Sequence, residues 1–200
     1  MALKTTATIH LDHEAAADDR AMFGFWVYLM TDLLMFAVLF AVYAVLHRNT
    51  VGGETGRELF SLPLALTETV LLLTSSFTCG LAMIAVRRGN KQQTLIWFAI
   101  TFALGLAFLY LEVREFQLLI SEGHTLRSNA FMSSFFVLLA THGLHITMGL
   151  LWMGTTLIYI MKRGLNRHMV RKLTMLSLFW HFLDIVWIFI FTIVYLGAFV

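Results

Sequence analysis

Residues 173–199 read LTMLSLFWHFLDIVWIFIFTIVYLGAF, a run with no lysine or arginine and with His181 and Asp184 as its only histidine and carboxylate. A helix crosses a hydrocarbon layer of about 30 Å with about 20 mostly apolar residues. Open strands would leave backbone groups unpaired in lipid, so a run of this length and apolarity predicts a membrane-spanning helix. It is long enough to tilt or to protrude beyond the lipid.

Four further stretches qualify on the same ground, at about 24–46, 64–86, 95–111 and 130–161, and each is followed by a polar or basic stretch. The composition agrees: 59% of the 200 residues are hydrophobic and 13% charged, with 18 phenylalanines and one proline. A soluble domain cannot hide that much apolar surface, and neither a disordered chain nor a nucleic-acid-binding module has this make-up. The reading is an all-α, polytopic membrane protein, a five-transmembrane-helix bundle spanning residues 23–200. It is preceded by a polar tail, residues 1–22, whose four acidic side chains and lack of an apolar core are not those of a cleavable secretory signal. The single cysteine, Cys79, closes no disulfide within the chain.

The cationic residues set the expected orientation. The tail and the second and fourth connections hold Lys4, Arg20, Arg87, Arg88, Lys91, Lys162, Arg163, Arg167, Arg171 and Lys172, whereas the opposite side holds Arg48, Arg57, Arg114 and Arg127. The positive-inside bias therefore predicts a cytoplasmic N-terminus and a periplasmic C-terminus. The clusters at 87–91 and 161–172 mark topology and are also suited to anionic headgroups. Pro63 stands where a proline best opens a helix, ahead of the second span. Gly143, Gly149 and Gly154, and Thr101, Gly105 and Ala107, allow helices to approach closely.

In so apolar a bundle the informative residues are the buried ionisable ones. Counting about 1.5 Å per residue places Asp32, His142, His145, His181 and Asp184 near the midplane, about 12 to 17 Å from an edge. His142 and His145 are three apart, as are His181 and Asp184, so each pair shares a helix face and can meet the other between helices. Glu68 and Glu112 fall nearer the outer boundary, as a second, shallower layer within reach of Arg114. Three intramembrane histidines without a cysteine make a poor metal site, and they are too few for the axial ligands of a haem pair or a haem-copper centre. Two readings of these residues stay open. They form a proton relay, or they are structural groups that hydrogen-bond across helices and fix the packing. Trp26, Tyr28, Trp97, Tyr110, Trp152 and Tyr195 sit where interfacial belts or helix packing would put them. No GxxxxGK loop, HExxH motif or GxSxG elbow occurs.

With their neighbours, these polar residues form recognisable segments. FWHFLDIVWIFIFTIVYLG, 179–197, resembles the last helix of subunit III of the haem-copper oxidases, and THGLHITMGLLWM, 141–153, resembles the helix before it. FGFWVYLMTDLLMFAVLFAVYAVL, 23–46, is similar to the opening helix of the quinol-oxidising members. Five spans rather than seven match the bacterial cytochrome bo-type ubiquinol oxidases. The resemblance implies a non-catalytic accessory subunit of a proton-pumping ubiquinol oxidase in the bacterial inner membrane. It would lie mainly against subunit I, in a complex with subunits II and IV. Haems and copper would belong to subunit I, with no cofactor, metal or catalytic residue in this chain, and phospholipid would bind between the helices. Supporting subunit I stability and proton uptake is the function so implied. Many members carry a glutamate two residues before the proline that opens the second span. Here that position is Ser61, so no proton role carries over to it. The alternative from the residues alone is a self-sufficient channel or proton carrier using Asp32, His142, His145, His181 and Asp184.

Overall fold

The computed structural model describes the backbone of residues 2–47, 61–121 and 130–198, with side chains from residue 19 onward. The helices are α1 (Ala2–Leu46), α2 (Leu62–Arg87), α3 (Lys91–Ser121), α4 (Ala130–Arg163) and α5 (Arg167–Ile190). A π-helical turn, Phe191–Tyr195, and a 3-10 turn, Leu196–Ala198, continue α5. All five helices carry a stretch long and apolar enough to cross a membrane, and no strand occurs among the described residues.

Two boundaries differ from the sequence reading. The segment expected as a polar tail is helical from Ala2 and continuous with the helix of the first span. The helix that carries the third span, expected over about 95–111, continues to Ser121. Glu112, Arg114 and Glu115 suggest a helix leaving the membrane, yet the buried positions Thr94, Phe98, Thr101, Gly105, Phe108, Glu112, Glu115 and Leu119 keep one three-four spacing through them. Burial of that stripe, rather than side-chain polarity, sets the length of the helix. Arg48, Arg57 and Arg127 lie outside the described residues, as does the side chain of Lys4.

The chain divides within α1 into two compact units, Met1–Met35 and Phe36–Val200. In the first, Leu29 and Asp32 are buried and three residues apart, and the Tyr28 hydroxyl is a hydrogen-bond partner of the Asp32 carboxylate. In the second, α2, α3, α4 and α5 close a ring in which each packs on the next and α5 returns to α2. The end of α1 joins this unit through aromatic contacts. Phe36 meets His142, His145 and Phe182, Phe40 meets Phe189, and Tyr43 meets Phe131.

The turns from α2 to α3 and from α4 to α5 are built alike. Arg-Arg-Gly-Asn and Lys-Arg-Gly-Leu-Asn each end a helix with a glycine at positive φ, Gly89 at 68° and Gly164 at 76°. That conformation costs glycine least and lets the chain reverse. Asn166 then caps α5 by accepting from the Met169 amide at 2.8 Å. Lys91 donates to the Met161 carbonyl at 3.0 Å, which ties the two turns together and places a cation at the C-terminal end of α4.

Candidate functional site

The last helix positions the polar groups. Trp180 and Trp187 lie two turns apart on its inward face, and both are almost completely buried. The Trp180 indole donates to Ser75 Oγ at 3.1 Å, and Ser75 donates onward to the Leu72 carbonyl at 2.8 Å. Its ring fills space left by two glycines: a Cβ on Gly105 would stand 2.8 Å from it, and one on Gly149 would stand 3.2 Å from it. One side chain of α5 thus touches α2, α3 and α4. Trp187 repeats the pattern, donating to Thr69 Oγ1 at 3.1 Å while Thr69 donates to the Ala65 carbonyl. Thr78 and Thr101 bond each other at 2.8 Å between α2 and α3, and the Cys79 thiol donates to Ser177 Oγ at 3.6 Å. Bonds of this kind add modestly to helix association, about 0.6 kcal/mol on average.

His142 is enclosed by rings: Phe108 at 6.1 Å edge-on, Trp187 at 5.5 Å and Phe36 at 6.3 Å. Neither of its nitrogens has a hydrogen-bond partner among the described residues. His145 turns Nδ1 back to the Thr141 carbonyl at 2.7 Å. His181 is bound elsewhere, its Nδ1 2.7 Å from Ser76 Oγ on α2 and 3.7 Å from Asp184 Oδ2, the latter too long for a hydrogen bond. The two pairs expected to meet at the midplane therefore engage different surroundings, and no hydrogen bond links His142 to His181 or Asp184. Among the described residues, no three His, Cys, Asp or Glu side chains converge as metal ligands. The dispersed histidines do not fit a haem-copper centre.

The second, shallower group is denser than the sequence suggests. Glu68, Glu112 and Glu115 are all buried and lie near one another. The Glu112 carboxylate lies against Gly143, where a Cβ would come within 3.0 Å of Oε2. Glu115 accepts a 2.8 Å hydrogen bond from the Tyr195 hydroxyl, and Tyr195 belongs to the π-helical turn, a local geometry frequent at functional sites. Among the described residues, both carboxylate oxygens of Glu68 and of Glu112 lack a hydrogen-bond partner. Arg114 reaches neither of them, and its guanidinium lies over the Tyr110 ring at 5.9 Å. A pocket of about 220 Å³ lined by Leu64, Leu111, Arg114, Glu115 and Leu118 adjoins this group.

Sequence reasoning missed Glu115, Ser75, Ser76 and Thr69, and assigned Tyr195 to a belt or to packing. Glu115 was detectable in principle, since it follows Glu112 by three residues on a stripe already spaced three and four. The serine and threonine partners carry no comparable signal, because such hydroxyls usually bond their own helix.

The sequence matches the cytochrome c oxidase subunit III family over residues 2–199. It is 51% identical to the cytochrome bo(3) ubiquinol oxidase subunit 3 of Pseudomonas aeruginosa, covering 92% of this chain and 90% of that one. It is 45% identical to the quinol oxidase subunit 3 of Bacillus subtilis, covering 93% and 91%. It is equally 45% identical to the cytochrome c oxidase subunit 3 of a Bacillus species, covering 86% and 84%. A match of this extent, through all five apolar helices, means that the chain belongs to the cytochrome c oxidase subunit III family.

Proposed function

We propose that this chain is the accessory subunit III of a proton-pumping ubiquinol oxidase in a bacterial cytoplasmic membrane. Ubiquinol oxidation and oxygen reduction take place in the partner subunits. Subunit III lies against subunit I, holds phospholipid between its helices, stabilises subunit I and supports proton uptake. The observation that carries this reading is the end-to-end likeness to a ubiquinol oxidase subunit 3 at 51% identity. The uneven distribution of cations supports a cytoplasmic N-terminus and a periplasmic C-terminus, with residues 1–22 on the cytoplasmic side and residues 23–200 as the membrane domain.

Under this reading Trp180, Trp187 and their hydroxyl acceptors hold the bundle together. Asp32, Glu68, Glu112, His142, His145, His181 and Asp184 serve packing or proton traffic. Purification through a tag on the N-terminal segment tests the assignment. The expected product contains haem and copper in a large multispan partner, oxidises ubiquinol, retains phospholipid through mild detergent and loses turnover stability when this chain is removed. A complex that accepts electrons from cytochrome c and not from ubiquinol would move the chain to the other branch of its family. A haem-free chain that conducts protons alone in liposomes would instead make it a proton carrier.

A further inference from the structure

His181 differs from its buried polar neighbours on α5, Ser177 and Asp184: its side chain is 40% exposed while that of Asp184, three residues on, is 6% exposed. Its Nδ1 faces inward to Ser76, and whichever of the two holds the proton, Nε2 remains a donor or an acceptor. No group among the described residues bonds that outer nitrogen. Its depth makes this costly. His181 is 14 residues beyond the start of α5, about 21 Å along the helix, and nine residues, about 14 Å, before its end at Ile190, from which the π-helical and 3-10 turns continue. Phospholipid carries its hydrogen-bonding groups at the headgroup level, and acyl chains offer none. A second feature lies on the same side of α2. Gly80, one turn beyond Ser76, has nothing within 4 Å of where a Cβ would stand, which leaves a notch in the surface. Small residues at such positions let helix backbones approach closely. Phe77 and Ile185, 67% and 52% exposed, flank the notch and the histidine with apolar surface.

We infer that the α2–α5 face around Gly80 and His181 is a docking surface for a membrane-spanning helix of another polypeptide, which presents a hydrogen-bonding side chain to His181 Nε2 at mid-depth. The partner is identified by that chemistry: it is apolar along its length, with one polar side chain near its centre. The inference rests on the proposed role as a subunit of a larger complex, and it names the face by which the chain joins.

The test places the photoreactive residue p-benzoylphenylalanine at Phe77 and, separately, at Ile185 in the full chain, with irradiation of native membranes. The expected adduct joins each position to a spanning segment of a different polypeptide. Adducts with lipid alone, or with a second copy of this chain, overturn the proposal. Substitution at His181 gives an independent readout, because a glutamine amide reaches about where Nε2 lies and an asparagine amide about where Nδ1 lies. After detergent extraction, recovery of the partner with the tagged chain should fall about three- to tenfold for His181→Leu and for His181→Asn, and stay near wild type for His181→Gln. Recovery maintained by asparagine and lost with glutamine would mean that only the internal bond to Ser76 matters, and would overturn the docking role. If the native chain brings down no haem-containing partner, the oxidase reading fails. The adduct at Phe77 and Ile185 in native membranes still decides the docking face.

Discussion

The indoles of α5 and the glutamates of α2 and α3 lie in the same bundle and are buried to the same degree, but they are treated in opposite ways. Each indole nitrogen donates to a hydroxyl, and each of those hydroxyls donates to a carbonyl of its own helix, so the chain of donors ends in a satisfied acceptor. Glu68 and Glu112 bring four carboxylate oxygens into the interior, and none of them has a hydrogen-bond partner among the described residues. An unpaired polar group in a medium without water is expensive, and selection for stability alone would favour an apolar residue there. The first region is built as a fastening. The second carries a cost that packing does not explain, and this contrast directs attention to function.

The largest expected effect strikes the fastening. Trp180→Ala should destabilise the bundle by about 3–5 kcal/mol, the usual range for emptying a buried aromatic site, read as a loss of thermal stability of the purified complex. The site spans three neighbouring helices and is lined in part by glycine, so it has little scope to collapse. A loss below 1 kcal/mol would show that Gly105 and Gly149 close around the vacancy.

Gly143→Ala attacks the other region by overpacking. The added methyl would meet Glu112 Oε2 at 3.0 Å, and displacing that carboxylate should cost about 1–3 kcal/mol. Combining it with Glu112→Ala should recover most of the loss, since the neighbour that must give way is then gone. Additive losses in the double variant would place the strain on the backbone of α4 instead.

How much of this contrast was legible beforehand follows from the residues. The fastening was half visible: the glycines 105, 143 and 149 were readable as packing positions and Tyr195 as a belt or packing group, while Trp180 and Trp187 stood out only as part of the segment 179–197 and their hydroxyl partners were hidden among many similar serines and threonines. The glutamate group was misplaced at its edge. The third span was ended at Leu111, with Glu112 near the outer boundary and Arg114 within reach, and Glu115 was not noticed; three ionisable side chains in four residues normally mark the water interface, whereas the helix continues and buries both carboxylates. The midplane layer was over-assembled. Spacing within a helix shows which residues share a face, but it does not show which neighbour that face meets, and so His142 lies among rings while His181 lies beside Ser76.

Tyr195→Phe tests the one glutamate of the group that has a partner. It removes the 2.8 Å bond to Glu115 and keeps the ring, so the expected loss is about 0.6–1.7 kcal/mol by thermal unfolding. A larger loss would mean that the bond also holds the π-helical turn, which circular dichroism alone would not register but amide exchange across Phe191–Tyr195 would.

The smallest effect is the most discriminating. Glu68→Gln takes away a carboxylate that bonds nothing and sits close to two others, and it leaves a side chain of nearly the same shape. No partner among the described residues is orphaned, so stability should change by less than about 0.5 kcal/mol. Turnover and proton stoichiometry of the intact oxidase, measured on the same preparation, then separate the two meanings of an unpaired carboxylate. A stable complex with impaired proton uptake would assign the group to function. A stable complex with unchanged turnover would make Glu68 a tolerated burden. A complex destabilised by 2 kcal/mol would show that Glu68 is anchored by water or by a neighbouring subunit, and the contrast between the two regions would then be one of who supplies the partner.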